Sequence, residues 1–134
     1  MIKVVLDTNV LIASIFWKGH CRQIVDLAII EKIKSVTSVE ILKEVETVLF
    51  EGFTETPYHK IEEVIRDILS YSELTTVDEI TVKELRDLTD VKIIASALSA
   101  KVDYLITGDK DLLVLKSYKG ITILTPKAFL NLLT

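Results

Sequence analysis

Short apolar, β-branched runs alternate along this chain with longer stretches whose apolar residues recur every three or four positions. Ile2 to Leu6, with Lys3 the only charge, predicts a strand buried on both faces. It stops at Asp7, and Thr8 and Asn9 can then cap a helix carrying Val10, Leu11 and Ile15. From Arg22 to Lys32 the apolar residues Ile24, Leu27 and Ala28 fall at helical spacing, and Ile33 to Thr37 reads as a second strand. Thr37-Ser38-Val39-Glu40 fits a capping box, with Thr37 as N-cap, opening a helix to about Phe50. Another helix is predicted from Tyr58 to Tyr71, with Ile61, Val64, Ile65, Ile68 and Leu69 on one face.

Glu73 to Val77 can form a third strand, and Asp78 to Thr89 suits either a loop or a helical turn. Asp90 to Ala100 places Val91, Ile94, Ala95 and Leu98 on one helical face. Asp103 to Ile106 is a strand, Leu112 to Leu115 a short helix and Ile121 to Leu124 a last strand, with Pro126 opening a final helix. This alternation predicts an α/β fold: a three-layer α/β/α sandwich with a mainly parallel sheet of about five strands. Residues 1–134 read as a single domain without internal repeat or linker.

Composition narrows the picture. Apolar residues make up 49% of the chain and mean hydropathy is +0.39, which suits a sheet covered on both faces. Net charge is −4, so a polyanionic ligand would have to be drawn by local lysines and bound cations. A single cysteine, Cys21, excludes an internal disulfide and a CxxC site, and it reads as packing, with His20 and His59 at the surface. No signal peptide or membrane span is legible, so a cytoplasmic protein is expected.

Of the 20 acidic residues, the informative ones are those whose position solvation alone does not explain. Asp7 follows a strand, and an open α/β sheet binds ligands at the carboxyl ends of its strands. Asp109 follows a strand in the same way, and Asp111 could point with it or cap the short helix. On the helix from Thr37, Glu44 and Glu46 lie at opposite margins of the apolar stripe, and periodicity does not choose between them. Asp90 heads the buried face of the later helix, with Asp87 nearby beside Arg86. Two carboxylates about 4 Å apart repel by roughly 4 kcal/mol at an effective dielectric near 20. Convergence of Asp7, Glu44, Asp90 and Asp109 would therefore require protons or cations. An all-oxygen set suits Mg²⁺ or Mn²⁺ and makes metal-assisted phosphodiester hydrolysis the natural chemistry.

Four segments in order carry a family resemblance: Val5-Leu6-Asp7-Thr8-Asn9-Val10, Ser38-Val39-Glu40-Ile41-Leu42-Lys43-Glu44-Val45, Arg86-Asp87-Leu88-Thr89-Asp90 and Asp103-Tyr104-Leu105-Ile106-Thr107-Gly108-Asp109-Lys110-Asp111-Leu112. Together they resemble the PIN-domain family, in particular the ribonuclease toxins of bacterial and archaeal toxin–antitoxin pairs. The resemblance spans essentially the whole chain. It implies that the family's helical glutamate is Glu44 rather than Glu46 and that its aspartates are Asp7, Asp90 and Asp109. These four would be the catalytic acids and the ligands of one or two Mg²⁺ or Mn²⁺ ions.

The resemblance implies further that Thr8 and Thr107 support the carboxylates. Asn9 and Asp111 join them as supporting residues, and Asp87 is a rival to Asp90, because this chain lacks the family's frequent Pro and paired acids there. RNA cut in single-stranded or loop regions would be the substrate, leaving 5′-phosphate and 3′-hydroxyl ends, with Lys110 the nearby cation for RNA phosphate. The partners implied are an antitoxin protein and a second copy of the chain, with no membrane. A PIN-fold binding module without activity is one alternative. An aspartyl-phosphate enzyme is another, disfavoured because Asn9 stands where a second aspartate would be needed and no phosphate-binding Gly-rich loop appears.

Overall fold

The computed structural model describes residues 1–52, 56–78 and 91–134. Its strands are β1 (Lys3–Leu6), β2 (Lys34–Ser38), β3 (Ser72–Thr75), β4 (Tyr104–Ile106), β5 (Ser117–Tyr118) and β6 (Ile121–Leu124). The described helices are α1 (Thr8–Phe16), α2 (His20–Ile29), α3 (Val39–Gly52), α4 (Tyr58–Tyr71), α5 (Val91–Ala100), α6 (Lys110–Leu113) and α7 (Pro126–Leu132). The expected loop or turn over 78–89 lies outside the described residues apart from Asp78.

The strands form one six-stranded sheet in the order β3-β2-β1-β4-β6-β5, all parallel except the β5–β6 pair. The strand beyond the expected five is β5, whose two residues are too few to show a period. It returns antiparallel through Lys119 and Gly120, both at positive φ (46° and 86°), the backbone of a tight hairpin turn. Gly120 tolerates that conformation because it has no Cβ.

Val4, Val5 and Leu6 alternate in direction along β1, yet all are at most 1% exposed. The central strand is therefore covered on both faces, and the layers are helix, sheet, helix. Helix α5 packs against β1 to β4, while α2 and α4 pack against β2. The core continues into Leu105, Ile106, Ile41, Val45, Ile61, Ile68 and Phe129, and Phe129 meets Tyr104 edge to face at 5.5 Å.

From β1 the chain winds outward through β2 to β3, then returns to β4 on the other side of β1. The strand order reverses there, which opens a crevice beyond the carboxyl ends of β1 and β4. Leu6 and Ile106 are register partners at those ends, so the residues that follow them, Asp7 and Thr107, emerge side by side.

Two helix starts differ from the sequence reading. Asp7, not Thr8 or Asn9, is the N-cap of α1, its carboxylate accepting the Thr8 N–H. The charged cap wins because the β1 backbone continues through Asp7, whose N–H donates to Ile106 O at 3.0 Å. At α3, strand β2 runs one residue further than expected, so Ser38 rather than Thr37 accepts the Ile41 N–H, at 3.2 Å. Thr37 Oγ1 is buried without a hydrogen-bond partner among the described residues, and Glu40 falls in the first turn, one position short of a capping box.

Candidate active site

Asp7 is the centre of a hydrogen-bond system at the crevice and is only 7% exposed. Its Oδ1 accepts the Thr8 N–H at 2.7 Å and its Oδ2 accepts the Thr107 hydroxyl at 2.6 Å. Thr107 is fully buried. Having donated to Asp7, its oxygen accepts the Asp109 N–H at 2.9 Å. Asp109 in turn caps α6, its Oδ1 accepting the Asp111 N–H at 2.8 Å. One threonine thus ties the carboxylate after β1 to the loop after β4.

Glu44 reaches the same place from α3: its Oε2 accepts the Thr8 hydroxyl at 3.0 Å. This contact separates the two glutamates that periodicity left level. Glu46 lies on the other side of α3, lining a cavity with Tyr58, Ile61, Glu62, Ile65 and Arg66.

Burial pushes the Asp7 carboxyl above its ordinary value, because the charged form loses water. The bonds from Thr107 and Thr8 pull the other way, and the charges of Glu44 and Asp109 add to the upward push. Negative charge is thus concentrated around a buried carboxylate, and among the described residues no cationic group acts on it to offset the burial. Carboxylate oxygens gathered around one buried acid fit a hard divalent cation. Among the described residues no three such side chains group closely enough to form a complete cation site by themselves. Asp90 and Asp87, the remaining acids of the sequence reading, lie outside the described residues.

The supporting residues divide. Thr8 and Thr107 each donate to an acid, as described. Asn9 is exposed, and the hydrogen bonds described above to Asp7 and Glu44 come from Thr8 and Thr107 instead. Asp111 contributes its backbone N–H, while its residue is exposed. Lys110 is the exposed first residue of α6, directly after Asp109.

Sequence reasoning missed a buried pair of serines. Ser38 Oγ and Ser96 Oγ lie 2.8 Å apart, joining the start of α3 to α5. No periodicity flags two serines in otherwise apolar surroundings, although their burial on element faces is a signal once the fold is known.

The PIN domain family model matches residues 3–111. The chain belongs to the PIN-domain family. Its similarity to known chains extends over nearly its whole length. An uncharacterized protein of Methanocaldococcus jannaschii, MJ1680, is 30% identical across 97% of this chain and 90% of its own. Among solved structures, VapBC2 from Rickettsia felis, bound to a DNA fragment from its promoter, aligns with a TM-score of 0.65 at 15% identity, covering 91% of this chain and 97% of that one. PAE2754 from Pyrobaculum aerophilum gives 0.64 at 18% identity, over 98% and 90%. A toxin–antitoxin complex from Klebsiella pneumoniae gives 0.60 at 21%, over 92% and 97%. At such identities these neighbours speak for the fold, and they agree with the mainly parallel α/β sheet. No helix among the described residues is long and apolar enough to cross a membrane.

Proposed function

We propose that this PIN domain is a metal-dependent endoribonuclease that hydrolyses RNA phosphodiester bonds and serves as the toxin of a toxin–antitoxin pair. The observation that carries the reading is the buried Asp7 carboxylate at the switch point of the sheet. Thr8 and Thr107 hold it in place, and it lies within electrostatic reach of Glu44 and Asp109. Asp7, Glu44, Asp90 and Asp109 would hold one or two Mg²⁺ or Mn²⁺ ions. When bound, the ion supplies Lewis acidity at the scissile phosphate and counter-charge for the acids.

The chain's own residues do the rest. Thr8 N–H and Thr107 Oγ1 fix both oxygens of Asp7, which keeps its orientation without a reorganisation cost at each turnover. Thr8 Oγ1 aims Glu44, and the Asp111 N–H aims Asp109. Asp7 and Asp109 would be the direct ligands, with Glu44 and Asp90 completing the shell or orienting the attacking water. Lys110, exposed beside Asp109, can meet the phosphate of an RNA strand entering the crevice.

A protein partner is supported by exposed apolar surface away from the acids. Phe16 and Trp17 are 44% and 61% exposed, and a cavity of about 680 Å³ beside them is lined by Ile15, Phe16, Leu49, Pro57 and Val64 among others. Surface of that kind suits an antitoxin or a second copy of the chain.

The test is cleavage of labelled single-stranded and hairpin RNA with Mg²⁺ or Mn²⁺, with chelator as control. Wild-type protein is expected to cleave, and Asp7→Asn, Asp90→Asn and Asp109→Asn to be inactive while folded. Equal cleavage by the variants would place the activity elsewhere. Mn²⁺ binding without cleavage of any RNA would leave a binding module as the better account.

A further inference from the structure

The Ser38–Ser96 contact has a determinate direction. Ser96 Oγ donates to Lys92 O, one turn earlier in α5, at 2.7 Å. Its proton is thereby committed, so in the 2.8 Å contact Ser38 is the donor and Ser96 the acceptor. Ser38 Oγ can still accept, and it takes the Ile41 N–H at 3.2 Å. The result is a three-bond chain from an otherwise orphaned amide in the first turn of α3, through two hydroxyls, to a carbonyl of α5. Both serines are fully buried, and the Ser38–Ser96 and Ile41–Ser38 bonds are buried with them, so water does not compete for those two.

This chain of bonds joins the helix that carries Glu44 to α5. Helix α3 carries Glu44, and α5 begins directly after Asp90 in the sequence. Between the same helices lies a trough of about 470 Å³, lined by Glu40, Lys43, Glu44, Thr47, Val91, Lys92 and Ile93. Apolar packing sets the separation of two helices through side-chain volume but is not directional, so it constrains their register less than a bond between two fixed atoms does. A hydrogen-bonded pair with no solvent alternative fixes that register.

We propose that Ser38 and Ser96 are positioning residues, whose hydroxyl bridge fixes the register of α3 on α5 and so holds Glu44 in place relative to the head of α5 for cation binding. The proposal rests on the acid-site reading above. It predicts that breaking the bridge weakens the ion site out of proportion to its effect on folding.

The experiment measures Mn²⁺ affinity by calorimetry, the kcat and KM of RNA cleavage, and thermal unfolding without metal. It uses wild type, Ser96→Ala, Ser38→Ala, the double variant and Asp7→Asn. Ser96→Cys, similar in shape and a weak hydrogen-bonding group, is a second probe should alanine compromise folding. Ser96→Ala is expected to weaken Mn²⁺ binding about 10-fold or more, the usual effect of removing support behind a ligand. The value of kcat should fall with KM little changed, and the double variant should bind no more weakly than the worse single one. A Ser96→Ala protein with a lowered unfolding temperature but Mn²⁺ affinity and kcat within about twofold of wild type would overturn the proposal, because its effect then falls far short of the loss expected at a supporting residue. Wild-type Mn²⁺ binding that survives Asp7→Asn is a different result. It would sink the acid-site reading itself, and this proposal with it.

Discussion

Thr107→Val tests the wiring of the crevice with little change in volume. The threonine is fully buried, its hydroxyl bonded to Asp7 Oδ2 at 2.6 Å and to the Asp109 N–H at 2.9 Å. Valine fills the same space but removes both partners. A hydrogen bond to a charged group contributes about 1.5–3 kcal/mol, and an orphaned donor costs about 1 kcal/mol or more. Asp109 is half-buried, so water recovers part of the second term. The metal-free variant should therefore lose about 3 kcal/mol, which in a domain of this size lowers the unfolding temperature by about 10 °C.

The loss should also depend on pH. When Asp7 is ionised, Thr107 stabilises a charge. When Asp7 is protonated, the lost bond is a neutral one of about 1 kcal/mol. The variant's deficit should thus grow from about pH 4 to about pH 8, and the Asp7 carboxyl, already raised by burial, should rise further. Thermal and urea unfolding in chelator at both pH values measure this, with Thr107→Ser expected to restore most of the loss. A deficit below about 1 kcal/mol at the higher pH, or one independent of pH, would refute the assigned role of the Thr107 hydroxyl.

Asp7→Asn should raise the metal-free stability at neutral pH. The folded carboxyl is raised above its ordinary value of 3.8, so the folded state holds its proton longer than the unfolded one. Stability associated with the proton is fully present below that ordinary value and is lost as pH rises through the folded one. The advantage of the asparagine variant should therefore widen across that window, and identical pH profiles of the two unfolding curves would contradict it. Glu44→Gln should abolish RNA cleavage and Glu46→Gln leave it within about twofold, since the latter lies in another cavity; equal losses would reject the assignment. Phe129→Ala, at a fully buried ring against Tyr104, should cost about 3–5 kcal/mol by chemical unfolding, and a cost under about 1 kcal/mol would mean that the site collapses around the gap.

The sequence by itself determined most of the described elements and the positions of two carboxylates at strand ends. Helix Tyr58–Tyr71 and strand Ile121–Leu124 stand at their expected boundaries, because both have a strong period and sharp ends. Asp7 and Asp109 were legible because each terminates an apolar run, and strand ends in a parallel sheet are where sites form. Local pattern failed where the deciding partner was distant in sequence. Thr37 and Ser38 are both good caps, and only the length of the β2–β3 ladder, which pairs Ser38 with Thr75, left the cap to Ser38. Glu44 and Glu46 have equal claims by helical period, and the family resemblance favoured Glu44. In the structure, the hydroxyl of Thr8, 36 residues away, distinguishes them.

Asp7 itself began as a strand terminator in front of a helix. Its burial, its two oriented donors and the charges acting on it come from bringing β1 and β4 side by side, a pairing across about a hundred residues of chain. A periodicity reports which face of an element is apolar. It carries no information about what faces it, and hydrogen bonding and desolvation are set by the facing group.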